Sequence, residues 1–109
     1  MEKHEFGIMQ EAPQAGRRYD SYEPQRYHAI SVDDAYIEDI AFHFGHIECC
    51  WHTVDVKGKG LDYCGVTLIP PRSLEAFIDV IRDIQDLDAL RELMKEALYE
   101  DKWVIHFGI

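Results

Sequence analysis

Leu61-Asp62-Tyr63-Cys64-Gly65-Val66-Thr67-Leu68-Ile69-Pro70-Pro71-Arg72-Ser73-Leu74-Glu75-Ala76-Phe77-Ile78-Asp79-Val80-Ile81 changes its hydrophobic period at the two prolines. Up to Ile69 the residues read as a strand, with Gly65 marking a bulge or a close approach. Pro70-Pro71 ends that strand, and Ser73 is a good N-cap for the next helix. Leu74, Phe77, Ile78, Ile81 and Ile84 then recur at helical spacing and mark one buried face.

Reading outward toward the N-terminus, Lys57-Gly58-Lys59-Gly60 is expected to be a hairpin turn, since glycine permits the positive φ such turns need. Glu48–Val56 is the strand that enters it. A helix precedes that strand, with Ser31 or Asp33 at its cap, Ile37, Ile40, Ala41, Phe44 and Ile47 on one face, and Gly45 as its stop. Tyr27–Val32 reads as a strand and Glu5–Met9 as an additional short one. Toward the C-terminus, Asp83–Asp88 breaks the helix, and Asp86 or Asp88 caps a second piece carrying Leu90, Leu93, Met94, Ala97 and Leu98. Trp103–Phe107 is the closing strand.

The expected class is therefore α+β: an antiparallel sheet with helices on one face, in the βαββαβ order of ferredoxin-like folds, with an extra N-terminal strand. Tyr27–Val32 and Tyr63–Ile69 are expected to be central strands, and Ile37, Phe44, Phe77, Ile81 and Leu90 core residues. Residues 1–109 form a single domain, interrupted by a long loop over 10–26.

The composition fits a folded domain: 109 residues, 47% hydrophobic and 12% aromatic. A formal net charge of −10 opposes phosphate neutralisation and argues against nucleic acid as a partner. No apolar run is long enough for a membrane span, and the acidic start does not resemble a signal peptide. A cytoplasmic protein is expected, with no membrane partner, and with Cys49, Cys50 and Cys64 kept as thiols. The acids concentrate in 33–48 and 73–109, each stretch contributing −5, as expected for solvated outer helix faces.

Five segments carry a family resemblance: His4-Glu5-Phe6-Gly7-Ile8-Met9, Arg18-Tyr19-Asp20-Ser21-Tyr22-Glu23-Pro24, Ile30-Ser31-Val32-Asp33-Asp34, Thr67-Leu68-Ile69-Pro70-Pro71 and Val104-Ile105-His106-Phe107-Gly108-Ile109. Together they resemble a group of small uncharacterised bacterial proteins of unknown function. The resemblance spans most of the chain and implies no activity, cofactor or site residue.

The densest reactive cluster is His43, His46, Cys49, Cys50 and His52, with Cys64 beyond it. Zinc favours thiolate and imidazole in a tetrahedron, but no Cys-x-x-Cys is present. Cys50, His52 and Cys64 share a sheet face only in the register whose paired numbers total 118. Buried thiols are the preferred reading, with no metal and no cofactor expected. His43 is expected half-buried at the border of its helix. His106 is read as a satisfied strand histidine, with catalysis beside Glu100 or Asp101 as the sharper option. Gly60-Leu61-Asp62-Tyr63-Cys64-Gly65 has phosphate-loop glycine spacing but lacks the following Lys-Ser/Thr and a helix.

The loop Arg17-Arg18-Tyr19-Asp20-Ser21-Tyr22-Glu23-Pro24-Gln25-Arg26-Tyr27 holds three of the six arginines, interleaved with tyrosines. Both residue types are enriched at binding hot spots. Arg17, Arg18, Tyr19, Tyr22, Arg26 and Tyr27 are the expected contacts for an anionic small molecule or a protein partner. The expected function is a non-enzymatic binding or interaction module that also associates with itself. The alternatives are a small enzyme with a His/Cys or His/carboxylate site, or an acidic inhibitor of a basic protein.

Overall fold

A computed structural model describes residues 2–109. Six strands, β1 (Lys3–Met9), β2 (Ile30–Asp33), β3 (Glu48–Trp51), β4 (Lys57–Lys59), β5 (Val66–Ile69) and β6 (Trp103–Phe107), form one sheet. Its order is β2-β1-β6-β5-β3-β4, and every neighbouring pair is antiparallel. Helices α1 (Asp34–Ile40), α2 (Pro71–Ile81) and α3 (Asp88–Tyr99) complete an α+β fold.

The strand order departs from the ferredoxin-like expectation. β1 is central, between β2 and β6, and β2 lies at an edge rather than in the middle. Burial accounts for this: every β1 residue from His4 to Met9 is buried, whereas β2 buries only Val32. A strand covered on both faces belongs inside a sheet, and a half-exposed one at its rim.

The expected turn at 57–60 is also corrected. Lys57–Lys59 is strand β4, paired with β3 through Glu48↔Lys59, Cys49↔Gly58 and Cys50↔Lys57. The reversal lies earlier, where Val56 N–H donates to Thr53 O at 3.2 Å and His52 takes φ +64°. Gly58 serves close approach instead: a Cβ there would overlap the Trp51 ring. Cys50↔Leu68 and Trp51↔Thr67 pair β3 with β5 in the register totalling 118, but His52 and Cys64 lie outside both strands.

Alternation along the strands gives two apolar layers. Phe6, Ile8, Val32, Cys49, Ile69 and Val104 join the helices, meeting Ile37, Phe44, Phe77, Ile81, Leu90 and Met94. All five expected core residues are there. Met9, Cys50, Val66, Leu68, Ile105 and Phe107 point to the opposite face, where Tyr19 and Tyr27 from the long loop cover them. The loop is thus the lid of a second core.

Helix ends differ in detail from expectation. Asp33 caps α1 by accepting from Ala35 N–H at 2.9 Å, and a 3-10 turn over Ala41–Phe44 leads to Gly45. Ser73 does not cap α2: it sits in the first turn after Pro70 and Pro71, and its hydroxyl donates to Glu48 O. Prolines suit these positions because the first helical N–H groups lack partners anyway. α3 starts after a 3-10 turn over Gln85–Leu87 without a side-chain cap. Its Arg91 donates to Ile81 O at 3.0 Å and Ile84 O at 3.4 Å, satisfying the last carbonyl of α2 and one in the link that follows. His43, expected half-buried, is exposed on its 3-10 turn.

Candidate functional site

Hydrogen bonds tie the arginine–tyrosine loop to the turn between β3 and β4. Gly16 N–H donates to Asp55 at 2.9 Å, and Tyr19 N–H donates to His52 O at 2.7 Å. Gln14 N–H donates to the Tyr19 hydroxyl at 3.0 Å, so the buried ring is polar-satisfied at its tip. Pro24–Tyr27 forms a 3-10 turn ended by His28 at φ +51°. This turn rests on β1 where Gly7 leaves room: a Cβ at Gly7 would lie 2.6 Å from Tyr27 Cβ.

Two cavities open on this loop. One, of about 250 Å³, is lined by Met9 and Ala12 on its apolar side and by Glu11, Arg17, Arg26 and His28 among its polar groups. The other, of about 210 Å³, includes Arg18, Ser21 and Glu23. Arg17, Tyr19, Arg26 and Tyr27 line both. The Arg17 guanidinium lies 4.9 Å from the Tyr19 ring centre and that of Arg26 lies 5.8 Å from Tyr27. Stacking of this kind orients a guanidinium while leaving its N–H edge available.

The three arginines are not equivalent. Arg18 is committed to Asp20 at 2.7 Å, and Arg26 approaches Glu23 at 3.5 Å. Arg17 has no carboxylate in ion-pair range among the described residues. The Arg18 hydrogen bond, more than that from His52, holds the Asp20 carboxyl below its usual range. Tyr22 stands outside both cavities, its ring edge-on to Phe107 and its hydroxyl donating to buried Glu5. That bond is the main reason the Tyr22 hydroxyl is harder to ionise than usual.

Cys50, His52 and Cys64 are not brought together. Cys50 is buried under the loop, with Val54 O and Lys57 near its sulfur. Cys64 is exposed in the turn before β5. His52 lies between two carboxylates, Nδ1 to Asp20 at 2.7 Å and Nε2 to Asp62 at 3.2 Å. Among the described residues no group of three His, Cys, Asp or Glu side chains is arranged to hold a metal ion. Burial raises the Cys49 thiol to about 12, which leaves it protonated and a poor nucleophile.

A buried polar row went unread in the sequence. His4, His106 and Thr67 come from β1, β6 and β5 and share the helix-side layer. His106 has neither Glu100 nor Asp101 as a partner; its Nε2 meets His4 Nδ1 at 2.8 Å and its Nδ1 meets Thr67 Oγ at 3.1 Å. Burial, then the neighbouring His4, holds His106 well below the usual histidine range, so it is neutral. Thr67 Oγ accepts Asp62 N–H at 2.8 Å, leaving the hydroxyl to donate to His106. One proton order then satisfies every member: Thr67 to His106, His106 to His4, and His4 Nε2–H to Asp34 at 2.8 Å. Tyr63 also donates to Asp34, and this bond, with that of His4, keeps the Asp34 carboxyl ionised below its usual range. The only sequence signal was the presence of His4 and His106 in two terminal strands whose pairing the chain order does not reveal.

No protein-family model matches the chain, and no curated protein or solved structure matches it either. No helix is long and apolar enough to cross a membrane among the described residues.

Proposed function

We propose that this protein is a binding module for a small anionic molecule, seated in the cavity between Arg17–Tyr19 and Arg26–Tyr27. One observation carries this reading: in a chain of net charge −10, an arginine without an ion-pair partner and a second arginine converge, each against a tyrosine, on one cavity. A cavity of about 250 Å³ suits a compact metabolite with one carboxylate or phosphate group. Met9 and Ala12 would cover its apolar part, and the two guanidinium groups would meet its charge, with Glu11 the one acid in the lining. His4 and His106 have no exposed surface, so the buried row supports the scaffold rather than this ligand.

The test is calorimetric titration of small carboxylates and phosphates into the wild type and an Arg17→Ala/Arg26→Ala variant. Charge-assisted hydrogen bonds contribute about 1.5–3 kcal/mol each, so losing two should weaken binding by more than about a hundredfold. Arg18→Ala should matter less, since Asp20 already occupies that side chain. Equal affinity of the double variant, or no anion bound by the wild type, overturns the proposal.

A further inference from the structure

Of the sheet's two rims, β2 and β4, the second carries a positive charge of its own. In β4 the ladder bonds to β3 run through Cys49↔Gly58, flanked by Trp51 N–H to Val56 O at 3.0 Å and Gly60 N–H to Ile47 O at 2.8 Å. Antiparallel pairs alternate between bonded and non-bonded, so Lys57 and Lys59 turn their N–H and C=O groups outward. Among the described residues none of these four groups has another backbone partner. Such a row is a template for one more strand.

Charge selects what can pair there. Lys57, Lys59 and Arg72 have no carboxylate in ion-pair range among the described residues, although Arg18, Arg26, Arg82, Arg91, Lys95 and Lys102 all do. The Lys57 ammonium rests on a neutral group, Val54 O, at 3.2 Å. Residues Lys57, Lys59 and Arg72, with Glu48, Cys49 and Gly58, line a cavity of about 240 Å³ beside the strand; Lys57 lies opposite Cys50 on the loop face, whereas Gly58 lies opposite Cys49 on the helix face. Glu48 is the single acid there. The cavity shares no residue with those of the arginine–tyrosine loop.

We propose that the free edge of β4 takes an extended acidic segment of a partner protein as a seventh strand, with Lys57 and Lys59 pairing with the carboxylates of one face and a side chain of the other face entering the cavity beside Gly58 and Arg72. Backbone bonds would supply affinity and the cations the choice of sequence. The first turn of α2 contributes little as an anion site, because Pro70 and Pro71 lack N–H groups and Ser73 N–H donates to Pro70 O. A second copy is the poorer occupant. Its own β4 would set lysine against lysine, and its β2 edge would give a head-to-tail contact rather than a self-complementary one.

The experiment is amide NMR of the full chain titrated with a short blocked peptide alternating glutamate and threonine. Shifts should centre on Lys57–Lys59, and the Lys57 and Lys59 amides should exchange more slowly with solvent. A peptide of equal charge with proline at alternate positions should bind at least about tenfold more weakly, because it cannot complete the ladder. Lys57→Glu/Lys59→Glu should abolish binding without unfolding, since both side chains are exposed. Equal binding of the two acidic peptides, shifts confined to Arg17–Tyr27, absence of binding, or concentration-dependent self-association that occupies β4 would each overturn the proposal.

Discussion

His4 and His106 face one another across β1 and β6 with ring nitrogens 2.8 Å apart, neither exposing any surface to solvent. A direct imidazole–imidazole bond accommodates a single shared proton, and here the neutral order along Thr67, His106, His4 and Asp34 leaves no buried side-chain polar atom without a partner among the described residues. The row fixes the register of β1 against β6 and of β6 against β5, because a slip by one residue would turn both rings to the other face.

Stability should therefore fall in mild acid. The unfolded chain protonates His106 near 6.5, whereas the folded chain does so only well below that. Between those values the unfolded state binds more protons, so stability drops as pH falls below about 6.5 and is insensitive to this group above it. Asp34 acts in a lower window: its depressed carboxyl stabilises the fold above about 3.8, and that contribution disappears as it is protonated. Urea midpoints at about pH 7.5 and about pH 5 should differ for the wild type, and a His4→Phe/His106→Phe variant should show a flatter profile. Identical midpoints for the wild type would contradict a buried neutral His106.

Gly7→Ala should loosen the loop without touching the helical core. The new Cβ would lie 2.6 Å from Tyr27 Cβ and 2.9 Å from Tyr27 O, and backbone cannot yield as a flexible side chain can. Overpacking of this kind costs about 1–3 kcal/mol. Tyr27 should move off the sheet, so proteolysis within the loop should accelerate while Phe77, tilted against Phe44 with ring centres 4.6 Å apart in the opposite layer, keeps its environment. Unchanged protease resistance would show that the loop packs independently of β1.

The elements themselves were legible because local pattern decides them. Helical spacing gave α2 and α3, apolar residues gave β6 over Trp103–Phe107, and Asp33 capped α1 through its own side chain. Strand order was not legible, since βαββαβ describes succession along the chain whereas β1 competes for a central place by being apolar on both faces. The glycines of 57–60 misled for a related reason. Glycine is equally suited to a turn and to lying beneath an indole, and only the tertiary position of Trp51 distinguishes the two. Of the candidate site, the arginine–tyrosine loop could be found from composition, but that Arg18 pairs with Asp20 while Arg17 stays unpaired depends on where His52 carries that acid.

Thiol reactivity should separate the cysteines cleanly. Cys64 is exposed, whereas Cys49 and Cys50 are buried in opposite layers and the Cys49 thiol is pushed up to about 12. A thiol-specific reagent at neutral pH should label one site per folded chain quickly, and Cys64→Ser should remove that fast phase. In denaturant all three should react. Rapid labelling of Cys49 in the folded protein would mean that the β3 layer opens far more readily than its burial implies.

His52 tests how much of the loop's attachment is side-chain bonding and how much is backbone shape. Its φ of +64° is left-handed, a conformation that costs a residue with a Cβ about 1–2 kcal/mol and glycine almost nothing. Its ring meets Asp20 and Asp62, but it is part-exposed, and pairs near solvent contribute at most about 1 kcal/mol each. His52→Ala loses the ring and keeps the strain, so it should destabilise. His52→Gly loses the ring and sheds the strain, so it should be more stable than His52→Ala by about 1 kcal/mol, read from urea unfolding. Both variants detach Asp20, with its partner Arg18, from the sheet and weaken the hold on Tyr19, whose N–H still donates to the carbonyl of residue 52. Anion affinity should therefore fall in both by a similar factor, although their stabilities differ. An alanine variant at least as stable as the glycine one would remove the left-handed turn from the account of the loop, and unequal losses of affinity would show that backbone shape, rather than the Asp20 bond, positions Arg17.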